Sequence, residues 1–392
     1  MADTSRNERL GKMIPIGVMA GLLAAGAWGL GRKPSDLGTL FVKSTAVMYG
    51  EESETEGDRT ERYSMLIGSP VSRGEVYDEA DEPAAPTSDS KAEETAEPVE
   101  IPSEKPSEDV IAAIPYPTDL SRQDGPVVKE RFGPYSGSQF VTLSGGGQVM
   151  NRTSVPNSVL LAESKKPVDF AAEIKKGEPL VLIYHTHTTE SFEPSDRDFY
   201  DSRYSSKTTD PSKNMTAVGD RICAELERAG IPYIHDTLVH DHPSYNAAYD
   251  SSRKTVSELL KKYPSVKIAL DIHRDGLQRQ DGTRVSPVAE INGREAAQIM
   301  IISGCDDGTM GMPDYMKNFH FACALQNKLE SSYAGLTRPI LFDYRHYNQD
   351  LTSGSLLIEV GSHGNCFDQA LYSAELIGKG LSELICELAG GK

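Results

Sequence analysis

Hydrophobic and polar positions divide the 392-residue chain into stretches of different rhythm. Residues 13–31 are apolar throughout and carry no charge, residues 51–109 hold almost no bulky apolar side chain outside residues 63–67, and from residue 180 short apolar runs alternate with helical stripes. A run of four to six apolar residues between turn residues predicts a buried strand, and an apolar residue every third or fourth position predicts a helix with one face on a core. Strands are predicted at residues 180–184, 231–234, 266–272, 299–303, 339–342 and 355–360, and helices at 214–229, 245–263, 313–333 and 367–388. Gly230 stops the first of these helices and Pro264 the second. Earlier, residues 140–143 and 148–150 flank Gly145, Gly146 and Gly147 as a β-hairpin would, and residues 158–162 predict one more short element. Strands alternating with helices predict an α/β fold, with a mostly parallel twisted sheet and helices on both faces.

Ahead of that domain the pattern predicts an organisation. Residues 1–12 form a polar, cytoplasmic leader. At about 19 residues, the stretch 13–31 is long enough to cross a bilayer as a single transmembrane helix. It is predicted to be an uncleaved signal anchor, flanked almost equally by basic residues so that the positive-inside rule alone does not fix its orientation; the competing reading is a signal peptide cut after Ala25-Gly26-Ala27. Residues 32–134 are predicted to be an acidic, disordered linker, because they bury too little apolar surface to offset their ordering entropy. About 60 such residues span on the order of 40 Å, and self-repulsion lengthens that reach. Residues 135–179 are expected to be a small β-rich extension packing on a catalytic domain at 180–392.

Charge changes this picture little. The formal net charge is −18, but residues 51–109 hold 19 acidic and 5 basic residues, so the remainder is close to neutral. No basic patch or basic run interleaved with aromatics is present, so nucleic acid is not an expected partner. The five cysteines (Cys223, Cys305, Cys323, Cys366 and Cys386) are widely spaced without a Cys-x-x-Cys, and are expected to be small buried hydrophobes.

Three apolar strands run into chemistry. The first breaks into His185, His187 and Glu190, the second into His273, Arg274 and Asp275, and the third carries Glu359 inside an apolar run. Ligand crevices of open α/β sheets lie beyond the carboxyl ends of their strands. A carboxylate in a buried strand is costly unless paired, hydrogen-bonded or on a metal. If the three strands are neighbours, two histidines and two glutamates converge as a hydrolytic zinc site requires: imidazole and carboxylate ligands, a position for water, and a further carboxylate to carry its proton. His235, His240 and His242 form a histidine-rich loop expected to touch substrate or do nothing special, a second metal being the lesser alternative. His363 follows Glu359 in a Gly-rich turn and is expected to line the cleft. His320 and His346 carry no motif.

The segments Val-Leu-Ile-Tyr-His-Thr-His-Thr-Thr-Glu-Ser (181–191), Ala-Leu-Asp-Ile-His-Arg-Asp-Gly (269–276) and Leu-Leu-Ile-Glu-Val-Gly-Ser-His-Gly-Asn (356–365), in that order behind an anchor and an acidic linker, resemble the stage II sporulation protein P family. These are cell-wall amidases and endopeptidases that remodel peptidoglycan during engulfment in endospore-forming bacteria. The resemblance covers about residues 135–392. The family is similar in turn to zinc N-acetylmuramoyl-L-alanine amidases, which bind the metal through His, Glu and His and use a glutamate near the C-terminus as acid and base. Carried over, this implies zinc on His187, Glu190 and His273, with Glu359 catalytic. Arg274 is a second catalytic candidate, holding a substrate carbonyl or carboxylate, with a surface ion pair as the plain alternative. Glu190 follows its histidine by only three residues, closer than in ordinary amidases, so Glu193 stands as a substitute ligand and His185 as a ligand or the neighbour of one. The resemblance also implies peptidoglycan as substrate, a membrane location with the catalytic domain on the extracytoplasmic, septal side, and the stage II sporulation proteins D and M as partners. Two rivals stand beside it. One is a metal-dependent phosphoesterase or amidohydrolase barrel, which also begins with a strand and His-x-His; a full barrel takes about 250 residues, more than 180–392 supplies. The other is a non-catalytic wall-binding scaffold.

Overall fold

A computed structural model describes residues 113–390. In chain order the elements are β1 (Gly125–Glu130), β2 (Phe140–Thr142), β3 (Gln148–Asn151), α1 (Asn157–Glu163), β4 (Val181–Tyr184), β5 (Phe199–Tyr200), α2 (Met215–Arg228), β6 (Tyr233–His235) and α3 (Ala248–Lys262). They continue with β7 (Ile268–Asp275), β8 (Arg284–Ile291), β9 (Arg294–Ala297), β10 (Ile299–Gly304), α4 (Tyr315–Ser332), β11 (Ile340–Asp343), β12 (Gly354–Ser362) and α5 (Phe367–Gly390).

Eight strands make the main sheet, in the order β2-β3-β11-β10-β12-β7-β4-β6. The pairs β6–β4, β4–β7 and β7–β12 are parallel. The direction reverses at β12–β10, and β10, β11 and β3 then run parallel to one another. The sheet is thus mostly parallel, as expected, and it ends in two separate edges rather than closing. An open sheet of this kind is not the barrel of the rival reading.

Alternation along β4, β7 and β12 divides the side chains between two layers. Val181, Ile183, Leu270, Ile272, Leu356 and Ile358 join one large core with residues of α2, α4 and α5. On the opposite face, Leu182, Tyr184 and Ala269 pack with Val256 of α3, and Leu357 packs with Met300, Ile302 and Leu341. Helices therefore cover both faces. Side chains as fully buried as Ile183, Ile222 and Leu270 each contribute roughly 1.5–3 kcal/mol relative to exposure. The helix α2 shows how the sequence sets its own limits. The Asn214 side chain accepts from Thr216 N at 2.9 Å, Val218, Ile222 and Leu226 form the buried stripe, and Gly230 leaves the helix at φ +68°.

Three expectations need correction. Residues 113–134 fall within the expected linker, yet β1 lies there and pairs with β8 in parallel and with β5 antiparallel. It belongs to a second sheet, ordered β5-β1-β8-β9, that has no counterpart in the sequence reading. The hairpin β2–β3 is an edge of the main sheet through β3–β11, not a separate extension packed on it. Finally, β7 runs through His273 and Arg274 to Asp275 instead of ending at residue 272. Among the described residues no helix is long and apolar enough to cross a membrane; the span expected at residues 13–31 and most of the linker lie outside them.

Candidate active site

The site forms on the α3 face of the sheet, where β4, β7 and β12 end. Glu359 and His273 are direct partners across the parallel β12–β7 pair, so their side chains leave the sheet on one rung and one face. Two residues earlier on the same face of β7 stands Asp271. Its carboxylate accepts from Thr186 N at 2.8 Å and Thr186 Oγ1 at 2.6 Å, and lies 2.8 Å from His273 Nε2 in an ion-pair contact whose angles fall short of a hydrogen bond. Asp271 thus fixes the turn after β4 and orients the His273 ring, leaving Nδ1 toward Glu190 Oε2 at 3.8 Å. Beyond Glu359 the register of β12 shifts, and Gly361 takes φ +63°, a conformation in which a Cβ would run into Ala297 and Asn365.

The segment leaving β4 brings in His187 and Glu190. The His187 ring stacks on Tyr245 at 4.3 Å between centroids and meets the His273 ring edge-on at 5.1 Å. Its Nδ1 is buried without a hydrogen-bond partner. The buried Glu190 carboxylate accepts from the backbone N of Arg274 at 3.1 Å. Tyr249 of α3 stacks over the His273 ring at 6.5 Å, and Tyr347 stacks on Tyr249 at 5.4 Å. Glu359 is only 4 % exposed, and its Oε2 has no hydrogen-bond partner.

Burial sets the electrostatics. It pushes the Glu359 carboxyl up to about 8, with Asp275 and Glu190 adding repulsion against the pull of His273 and Arg338. Burial also raises Glu190 against Arg274 and His273. For His273 burial works downward, but Asp271, Glu190 and Glu359 outweigh it and hold the imidazole at about 9. His187 goes the other way, well below the ordinary imidazole value, through burial and the nearby cations of His273, Lys207 and Arg274.

The donor set suits a divalent metal of the zinc kind: two imidazoles, a buried carboxylate, and an imidazole nitrogen whose burial is uncompensated by any hydrogen bond. Among the described residues no three His, Cys, Asp or Glu side chains are drawn tightly enough together to form a finished metal cluster. The donors that come nearest to such a set are His187, Glu190 and His273.

The other expected site residues are placed elsewhere. His185 turns to the opposite face, beneath α2. Its Nδ1 lies 3.1 Å from Ile272 O and its Nε2 2.9 Å from His235 Nε2, under Gly219, where any Cβ would meet both rings. Arg274 alternates with His273 along β7 and so points the same way as Ile272. Only 3 % exposed, its guanidinium donates to the carbonyls of Ser191 and Ser206 at 2.8 and 3.1 Å and braces the loop carrying Glu190. It is buried rather than a surface ion pair, and its charge is felt at Glu190 and His187. Glu193 is taken by Arg197 at 2.6 Å and Arg284 at 2.9 Å. In the histidine-rich loop, His235 contacts Asp220 at 3.1 Å while His240 is held by Asp236 at 3.0 Å and Ser251 at 2.8 Å, so the loop histidines are divided among separate partners. His363 is buried, and its backbone N donates to Asp275 O at 3.0 Å. Burial and the charges of Arg284 and Arg274 hold its imidazole well below the ordinary value. His320 bridges Asp169 and Glu163, and His346 contacts Asp350. The site residues missed in the sequence are Asp271, Tyr249 and Tyr347. Asp271 was visible as the residue two before His273; the tyrosines reach the site only through tertiary packing.

The site is thus a buried imidazole–carboxylate cluster at the strand ends of an open α/β sheet. The chain belongs to the Stage II sporulation protein P (SpoIIP) family, whose profile matches residues 45–382. It is 30% identical over 221 residues to the Stage II sporulation protein P of Bacillus subtilis (strain 168), covering 52% of this chain and 51% of that protein; it thus spans about half the length of this curated relative. Among solved structures, N-acetylmuramoyl-L-alanine amidase AmiC2 of Nostoc punctiforme aligns with a TM-score of 0.34 at 14% identity, over 54% of this chain and 98% of its own. The catalytic domain of CwlV, an N-acetylmuramoyl-L-alanine amidase from Bacillus (Paenibacillus) polymyxa var. colistinus, gives 0.31 at 14% identity, over 55% and 99%. Scores of this size leave the assignment resting on the family match.

Proposed function

We propose that the protein is a zinc-dependent peptidoglycan hydrolase of sporulation that cleaves the amide between N-acetylmuramic acid and L-Ala, with cross-link endopeptidase activity as a second capacity of the same centre. The observation that carries this reading is the shared rung of Glu359 and His273, with an unpartnered glutamate oxygen beside a buried His187–Glu190–His273 group. Zinc on those three residues would polarise the amide carbonyl and acidify water. Glu359 takes the proton of the attacking water and returns it to the leaving nitrogen. Asp271 keeps the His273 ring in orientation, and the Arg274 backbone N–H holds Glu190.

The proposal includes a single-pass anchor at residues 13–31, an acidic tether, and a catalytic domain on the extracytoplasmic side of the cell membrane. Peptidoglycan is the substrate and the stage II sporulation proteins D and M are the partners. Mass spectrometry of products from purified peptidoglycan tests the reading. Free stem peptides indicate amidase action and split cross-links endopeptidase action. Intact sacculi after incubation with zinc-loaded protein would contradict both, and would leave the wall-binding scaffold.

A further inference from the structure

Hydrolysis places negative charge on the carbonyl oxygen, and a side-chain donor there would act beside the zinc of the reading above. The segment after β11 supplies one. Asp343, Arg345 and Tyr347 follow one another at alternate positions: Asp343 Oδ2 accepts from Arg345 Nε at 3.1 Å, and Arg345 Nη1 donates to the Tyr347 hydroxyl oxygen at 2.5 Å. A guanidinium can only donate, so this contact occupies a lone pair of the phenol and leaves its hydrogen available to an acceptor.

The backbone at Tyr347 is held in a conformation that non-glycine residues avoid. Tyr347 and Asn348 are consecutive non-glycine residues at φ 45° and 55°. Strain of this kind persists only where surroundings over-determine it, and it gathers at functional sites. Here the surroundings are named. Asn348 Nδ2 donates to Tyr249 O and Ser252 Oγ at 3.2 Å each, and Asp350 accepts from Arg253 at 2.7 and 2.6 Å, fastening the segment to α3. The Tyr347 ring packs against the cluster containing Leu357 and Met300 and stacks on Tyr249. Leu357 is the residue two before Glu359 on the same face, and Met300 is the cross-strand partner of Glu359, so Tyr347 lies over the part of the sheet that carries the acid/base. Burial acts on the phenol first, then Arg345, and the Glu359 charge is felt there as well.

We propose that Tyr347 is a catalytic hydrogen-bond donor to the carbonyl oxygen of the scissile amide, polarised by Arg345. This rests on the hydrolytic reading above. As water adds to the carbonyl carbon, the C=O π pair moves to oxygen and the Tyr347 O–H bond to that oxygen strengthens. When the C–N bond breaks, the pair returns, the nitrogen leaves with the proton carried by Glu359, and the phenol keeps its own proton throughout.

The test compares wild type, Tyr347→Phe, Arg345→Gln and Glu359→Gln in the full chain loaded with zinc. The readouts are kcat and KM on soluble muropeptides, muropeptide affinity in the Glu359→Gln background, and the melting temperature. Tyr347→Phe keeps the ring and its stacking. Expected is a fall in kcat of about 100-fold with KM and muropeptide affinity within about twofold, and a smaller fall, about tenfold, for Arg345→Gln, whose phenol is still in place. Wild-type kcat in a folded Tyr347→Phe protein overturns the proposal; should that variant fail to fold, wild-type kcat in Arg345→Gln overturns it instead. A parallel loss of kcat and ground-state affinity assigns Tyr347 to substrate binding and also overturns it. Wild-type protein no more active than Glu359→Gln overturns the hydrolytic reading itself, and this proposal with it.

Discussion

Glu359 and His273 stand side by side on adjacent parallel strands, each buried, and each with its pKa raised: to about 8 for the glutamate and about 9 for the histidine. Their ordinary values are 4.5 and 6.5, so in the metal-free protein both bind more protons folded than unfolded, and both lose stabilising effect as pH rises through the folded values. His185, His187 and His363, held by burial well below the ordinary imidazole value, act in the opposite sense, but their contribution is complete once pH exceeds about 6.5. Between about pH 7 and 9 the chelator-treated protein should therefore lose stability. Denaturant midpoints should fall across that window, less steeply for Glu359→Gln; a rising midpoint would contradict the assignment of these shifts.

The two histidines after β4 should separate cleanly. His187→Ala is expected to abolish zinc binding measured by elemental analysis, because its unpartnered Nδ1 lies in the site. His185→Gln should retain zinc and lose stability, about 1–3 kcal/mol, through its contacts to Ile272 and His235. Loss of metal from a folded His185→Gln protein would contradict this division.

How much of this was legible from sequence depends on where pattern and register coincide. The strands and helices from residue 180 onward followed their apolar periods because each buries a continuous stripe. The second sheet did not, because β1 and β5 are short and their pairing partners are distant in sequence. Yet β8–β9 carried a readable signal: Asn292-Gly293 at φ 52° and 75° is a hairpin turn of the preferred kind. Register explains Arg274 as well. A strand ending at residue 272 would let Arg274 face the site; with β7 continuing to Asp275, alternation sends it to the other side. The histidine and glutamate types were evident from the motifs, whereas the separation of His185 from His187 required the turn that Thr186 makes on Asp271.

A buried ion pair closes the end of the same strand. Arg338 Nη1 donates to Asp275 Oδ2 at 2.8 Å, both side chains almost fully buried, and Arg338 Nε and Nη2 have no hydrogen-bond partner. Removing one member leaves the other charge uncompensated. Asp275→Asn should lower unfolding free energy by about 3–5 kcal/mol, read from urea denaturation. A loss below about 1 kcal/mol would mean that water reaches the guanidinium.

Gly219 gives a structural counterpart. Gly219→Ala forces a methyl onto the His185 and His235 rings and should cost about 1–3 kcal/mol, with zinc binding retained. A melting temperature equal to wild type would contradict the packing of α2 on the histidine pair.

The most direct measurement is turnover and metal content in one preparation of Glu359→Gln. About one zinc per chain is expected, as in wild type, with release of muropeptides from purified peptidoglycan reduced to background. Wild-type release by this variant would contradict the role of Glu359 and with it the hydrolytic centre described above.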